Sequence, residues 1–257
     1  RQRLFDLPRS SWQDYDKRLL SAGGGIFPRS AKAIAMTPEA QRLLGISDGE
    51  VTPAELVRAI LRCRCDLLWL GGIGTYVKSA EESDEDVGDR ANDGVRITAA
   101  EVRATVIGEG ANLGVTQRGR IAYARAGGRI DTDFIDNSAG VNTSDQEVNI
   151  KIALAPAVSS GRLGAAERRA LLASMTEDVA AGALRNNYQQ SLALSLAEAR
   201  AAADLGYLQR LMQVLEAKGL LDRRLEALPA NAEIAQRQAA GRGLTRPELA
   251  VLLSLAK

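Results

Sequence analysis

The sequence predicts an α/β fold, part of a doubly wound parallel sheet followed by an all-helical C-terminal region. Three observations predict it. Apolar runs, Leu67-Leu68-Trp69-Leu70 and Val106-Ile107, stop in glycine-rich turns, as strands buried on both faces of a parallel sheet do. Capping boxes, Thr52-Pro53-Ala54-Glu55 and Thr98-Ala99-Ala100-Glu101, place a helix start before each of those runs, giving the order helix, strand, helix, strand. From about Ala165 the composition shifts to alanine, leucine, arginine and glutamine with a helical period.

Taken in order, residues 1–50 mix turn chemistry, Leu7-Pro8-Arg9-Ser10 and a Gly23-Gly24-Gly25 connector read as flexible, with a short helix after Thr37-Pro38-Glu39. The Thr52 helix carries Leu56, Ala59, Ile60 and Cys63 on one face and leads into a buried strand after Asp66. A short helix from Thr98 feeds a strand over 105–108, and the next helix is predicted over 118–127. Ser144-Asp145-Gln146-Glu147 reads as another capping box at a helix start. Leu171, Leu172, Met175 and Val179, then Leu205, Leu208, Leu211 and Leu215, mark helices of the C-terminal region, whose last helix opens at Thr245-Arg246-Pro247-Glu248. The expected division is a sheet-bearing part over 1–158 and a helical region over 159–257.

Composition narrows the function. At 257 residues with 46% hydrophobic content, the chain builds an ordinary globular core. Its 33 basic and 32 acidic side chains give no field for nucleic acid or an anionic membrane. With no histidine, the commonest general base and transition-metal ligand is missing. Cys63 and Cys65 alone do not complete a zinc site, so no metal is expected and they read as buried, reduced thiols of a cytoplasmic protein. No apolar run reaches the roughly 20 residues of a membrane span, and no signal-peptide pattern opens the chain. Starting at Arg1 and stopping at Lys257 inside a leucine-rich pattern, the sequence reads as a piece of something longer.

Two tempting motifs fail. Gly71-Gly72-Ile73-Gly74 follows a strand but lacks the last glycine of a dinucleotide fingerprint, Val77 standing there. The acidic run Glu81-Glu82-Ser83-Asp84-Glu85-Asp86 misses the calcium-loop spacing and reads as a solvated loop, with Asp89 to Gly94 ordered locally by ion pairs.

The informative stretch is 104–151. One strand ends in Gly108-Glu109-Gly110-Ala111-Asn112, and a second run ends in Asp136-Asn137-Ser138-Ala139-Gly140-Val141. Small residues and planar amides beyond strand ends suit a ligand crevice, since an amide offers the donor and acceptor that match a carboxamide. Asn112 and Asn137 serve equally well as turn residues, and Ser144 as a cap.

At these residues the chain resembles the glutamate dehydrogenases, and over nearly its whole length their large, multidomain, NAD-specific class found in bacteria. Gly108-Glu109-Gly110-Ala111-Asn112 with Thr116 is similar to that superfamily's Glu-Gly-Ala-Asn segment, and Asn137-Ser138-Ala139-Gly140-Val141 to its Asn-Ala-Gly-Gly-Val segment. Phe5-Asp6-Leu7-Pro8-Arg9-Ser10-Ser11-Trp12, Gly71 to Tyr76, Val87 to Asp93 and Gly243 to Ala250 resemble the large class. The chain departs from the smaller enzymes at Gly114, where they carry proline, and at Ser138-Ala139. The resemblance implies that residues 1–158 are the distal part of an NAD-binding, Rossmann-like domain. It further implies NAD as cofactor, with Gly110, Asn112 and Asn137 on its nicotinamide half, and Val141 and Ser144 facing the glutamate side chain. Oxidative deamination of L-glutamate to 2-oxoglutarate and ammonium follows, in a homo-oligomer. No catalytic residue is expected in this chain, because the family's catalytic lysine and aspartate belong to segments preceding Arg1. The alternative is a non-catalytic helical scaffold that serves assembly or regulation.

Overall fold

A computed structural model describes residues 6, 7 and 9–255, so Phe5 and Pro8 of the first family-like motif lie outside the described residues. The architecture is mixed α/β with small parallel sheets in its first half and helices thereafter. The strands are β1 (Ile34–Ala35), β2 (Glu50–Val51), β3 (Leu67–Leu70), β4 (Val77–Lys78), β5 (Ile97–Thr98), β6 (Val106–Glu109) and β7 (Arg129–Ile130). Helices α1 (Pro38–Leu44), α2 (Pro53–Leu61), α3 (Asp84–Val87), α4 (Gln117–Arg125) and α5 (Asp133–Asp136) interleave with them. Then come α6 (Ser138–Ser159), α7 (Ala165–Ser174), α8 (Thr176–Arg200), α9 (Leu205–Ala217), α10 (Asn231–Ala239) and α11 (Arg246–Leu255).

The main sheet has the order β3-β6-β7, all parallel, with Leu70 opposite Glu109 and Ile107 opposite Ile130. Helix α4 makes the crossover from β6 to β7, the connection that parallel strands require. A parallel β4–β5 pair joins this layer where Val77 bridges Val115. Leu61, Leu70, Ile107, Val115, Tyr123 and Ile130 form the apolar core here. A second core draws Leu194, Leu205, Met212, Ile234 and Leu249 from the later helices, and Ile135 of α5 belongs to it. Helix α11 packs on both α4 and α8, so the two cores lie against each other.

The capping boxes work as their chemistry dictates. Thr52 accepts from the Glu55 N–H at 3.3 Å while the Glu55 carboxylate takes the Thr52 N–H at 2.8 Å. At α11 the Glu248 carboxylate takes the Thr245 N–H at 2.7 Å and also pairs with the buried Arg237 at 2.8 Å. Helix α4 spans Gln117–Arg125, within two residues of its predicted bounds at each end.

Elsewhere the structure corrects the reading. Strand β3 is not buried on both faces: Leu67 and Trp69 are 53% and 58% exposed, because β3 is an edge strand whose helical cover, among the described residues, lies on the Leu70 side. Cys63 and Cys65 are free but only half-buried. The Gly23-Gly24-Gly25 connector is a turn held to the α1 cap, since the Thr37 hydroxyl donates to the Gly23 carbonyl at 3.0 Å. The acidic run is no solvated loop either. Ser83 caps α3, and the Arg96 guanidinium, 1% exposed, sits between Asp84 and Asp93 at 2.7 Å from each. Asp89 accepts from the Thr75 N–H at 2.8 Å, so these carboxylates pin the glycine turn after β3.

The Ser144 reading fails in the same way. Helix α6 begins at Ser138, and Ser144 lies two turns inside it. Early packing on α8 sets that start: the Ser138 hydroxyl donates to the Asn187 side-chain oxygen at 2.7 Å, and Gly182 lets Gln146 approach. A capping box marks a start only where nothing upstream already continues the helix.

Candidate functional site

The site grows from the carboxyl ends of β6 and β7. Strand β6 ends in Glu109, whose side chain is fully buried, and a buried carboxylate needs compensating donors. Arg120 of α4 supplies them, donating at 2.7 Å and 2.9 Å to the two carboxylate oxygens, and the Val115 N–H adds a third bond at 3.0 Å. Burial alone would lower the Arg120 pKa, but the bond and charge of Glu109 outweigh it and raise the pKa further. Asp133 completes the arrangement at 3.2 Å from Arg120. The turn after β6 is thereby tied at its base to the helix that follows it.

Within that turn Gly110 is required for a reason the sequence concealed. A Cβ there would stand 2.4 Å from the Trp69 ring, and one at Gly108 would stand 2.7 Å from it. Trp69 of β3 lies flat over both glycines. Leu113 is left-handed, with φ of 59°, a conformation that costs a branched residue about 1–2 kcal/mol and persists only where the surroundings enforce it. Here the Leu113 N–H donates to Asp133 at 2.8 Å. Gly114 then passes beneath Leu70 and accepts the Tyr76 N–H at 2.9 Å.

The run before Asn137 is no strand: β7 stops at Ile130, and Phe134 and Ile135 lie in the single-turn α5, which ends at Asn137, the residue preceding α6. Asn137 and Asn112 meet: the Asn137 amide nitrogen donates to the Asn112 side-chain oxygen at 2.9 Å. Two amides that share this bond leave the Asn137 side-chain oxygen and the Asn112 amide nitrogen for something else, and flipping both together only exchanges those roles. That leftover pair is complementary to a primary carboxamide, so the residues present fit a nicotinamide. Val141 and Ser144 lie on one exposed face of α6, within two turns of Asn137, and Val148 and Ile152 extend that face. The structure therefore gathers Gly110, Asn112 and Asn137 at one place, and sets Val141 and Ser144 beside it along the helix.

Asp133 and Asp136 were missed by the sequence reading. The available signal was Glu109 itself, since a carboxylate ending an apolar strand demands partners nearby in space. Asp136 accepts the Glu109 N–H at 2.9 Å. Its carboxyl pKa is raised to about 6, chiefly by burial and then by the charges of Asp131 and Glu109. It lines a cleft of about 740 Å³ together with Trp69, Gly108, Asp131, Glu198 and Arg246. Among the described residues no cluster of histidine, cysteine or carboxylate side chains could hold a metal ion, and no helix is long and apolar enough to cross a membrane.

A parallel strand–turn–helix layer with one amide in the turn after β6 and another at the α5–α6 junction defines a class. Residues 1–197 match the family model of the bacterial NAD-glutamate dehydrogenase catalytic domain, and the chain belongs to that family. The NAD-specific glutamate dehydrogenase of Pseudomonas aeruginosa is 56% identical over 257 residues. Those of Halomonas elongata and Mycobacterium tuberculosis are 53% and 52% identical. Each comparison covers the whole of this chain but only 16% of the relative, so the chain spans about a sixth of the length of the curated relatives it matches.

Proposed function

We propose that this chain forms the nicotinamide-facing wall, and one side of the glutamate pocket, in an NAD-dependent dehydrogenase that converts L-glutamate to 2-oxoglutarate and ammonium. The observation that carries the reading is the 2.9 Å bond between Asn137 and Asn112, which joins the turn after β6 to the junction of α5 and α6. NAD, when bound, supplies the hydride acceptor. Asn112 and Asn137 orient the carboxamide of its nicotinamide, Gly110 keeps the turn low beneath it, and Ser144 and Val141 meet the distal carboxylate and methylenes of glutamate. In this reading the wall orients the reactants rather than transferring a proton.

The finer architecture belongs to the same proposal. Residues 1–158 are the distal part of a doubly wound, Rossmann-like domain, and 159–257 the helical region. The exposed edge and face of β3 support this, because an apolar edge strand of a parallel sheet calls for a further strand and a covering helix. We place the protein in the cytoplasm, where its dinucleotide and its free thiols are at home. Assembly into a homo-oligomer falls to the helical half, where Leu184, Tyr188, Leu192 and Leu196 recur every four residues on an exposed face of α8.

The test uses the full-length protein. Asn112→Leu is expected to lower kcat/KM for NAD by about 1–3 kcal/mol, roughly 5- to 150-fold, and Ser144→Ala to raise the glutamate KM with little change in that for NAD. Unchanged kinetics in both variants would remove the residue assignments. Leu184→Glu with Tyr188→Glu is expected to shift the sedimentation coefficient to smaller species.

A further inference from the structure

Helix α5 is one turn long, yet it reaches both ends of the turn that carries Asn112. Asp136 accepts the Glu109 N–H at 2.9 Å, and Asp133 accepts the Leu113 N–H at 2.8 Å. Between these two anchored amides stands Asn112, and directly after Asp136 stands its partner Asn137. Asp133 also faces the buried Arg120 and so serves the core, whereas the Asp136 carboxylate bonds the Glu109 N–H of the turn.

Building on the cofactor-wall reading, we propose that Asp136 is a positioning residue for the two amides. Its carboxylate ties the β6 end to the residue before Asn137 and so fixes the separation of Asn112 and Asn137 before any cofactor arrives. A turn and a helix junction without such a tie would vary in separation, and a bidentate carboxamide site tolerates little such variation. A carboxylate accepting a backbone N–H is a charge-assisted bond, stronger than a neutral one.

The surroundings make this tie responsive to pH. Asp131 before α5, Glu109 of β6 and Glu198 of α8 present negative charge toward the same region, while Arg120 of α4, Arg129 of β7 and Arg246 of α11 present positive charge. The carboxyl sits at about 6, and the cleft beside it admits solvent. As pH falls through that value Asp136 takes a proton, the bond to Glu109 weakens, and the amide pair loosens.

The experiment compares wild type, Asp136→Asn and Asp136→Ala in the full-length protein. It measures NADH affinity by fluorescence titration between pH 5.5 and 8, and hydrogen exchange of the peptide covering residues 108–114 without cofactor. In Asp136→Ala at pH 8, NADH affinity is expected to fall about tenfold, the loss of one charge-assisted bond, with faster exchange at Glu109 and a glutamate KM within twofold of wild type. Wild-type affinity should weaken as pH falls below about 6, and Asp136→Asn should lack that step. Equal loss for NADH and glutamate, or unchanged exchange at 108–114, would mark a merely structural residue and overturn the proposal. Should Asp136→Ala not fold, the pH step decides, and its persistence in Asp136→Asn refutes the idea. If Asn112→Leu weakens NADH binding while both Asp136 variants bind normally, the amide wall stands and the positioning role falls. If neither position matters, the cofactor-wall reading fails with it.

Discussion

The Glu109–Arg120 pair offers the sharpest test of how the site is supported. Glu109→Gln keeps the shape but removes the charge that compensates a guanidinium only 4% exposed. Breaking a buried pair from one side costs about 3–5 kcal/mol, because the remaining charge stays desolvated. Asp133 at 3.2 Å still faces Arg120, which puts the expected loss near the lower bound, about 3 kcal/mol. Removing both charges with Glu109→Leu and Arg120→Met should cost less, about 1–2 kcal/mol, mostly for the Val115 N–H left without its acceptor. The assay is urea unfolding followed by tryptophan fluorescence, where Trp69, lying on Gly108 and Gly110, reports beside the mutated residue. Unchanged m-values would keep the comparison two-state. A single variant that loses under 1 kcal/mol, or a double variant that loses the sum of the singles, would refute the claim that the pair acts as a unit.

Further outcomes are expected. Gly110→Ala pushes a methyl into the Trp69 ring and should cost about 1–3 kcal/mol, a loss that Trp69→Ala in the same chain relieves; equal penalties with and without the ring would disprove the steric account. Asp136 binds its proton more tightly folded, near 6, than unfolded, near 3.8, so its ionisation weighs against the fold as pH rises between those values. Asp136→Asn should therefore gain on wild type between pH 4.5 and 7.5 in urea unfolding, by at most about 3 kcal/mol, and a constant gap would exclude it. Thr52→Ala should cost about 1 kcal/mol through loss of the α2 cap, checked by the same unfolding midpoint.

Local chemistry was legible in the sequence wherever a few neighbouring residues decide the outcome. The Thr52 and Thr245 boxes and the strands over 67–70 and about 105–108 are of that kind, whereas the bond between Asn112 and Asn137 was not foreseen. What stayed hidden depends on partners far along the chain. Ser144 has every local mark of a cap, and packing of Ser138 on Asn187, 49 residues away, overrides it. Gly110 looks like a cofactor glycine, while its missing side chain makes room for Trp69. Asp136 is one more acidic residue in sequence, and only the fold brings it under the Glu109 N–H, 27 positions distant.

The docking of α11 has a consequence in time. Gln117 of α4 bonds the Pro247 carbonyl across 130 residues, and Arg246 reaches Asp131 across 115. A ribosome adds about 5–20 residues per second, so roughly 7–26 s separate the synthesis of α4 from that of the helix that covers it. Throughout that interval the outer side of α4 faces solvent on a nascent chain. The Arg246–Asp131 pair therefore forms only at the end of that interval, after Arg246 emerges from the exit tunnel.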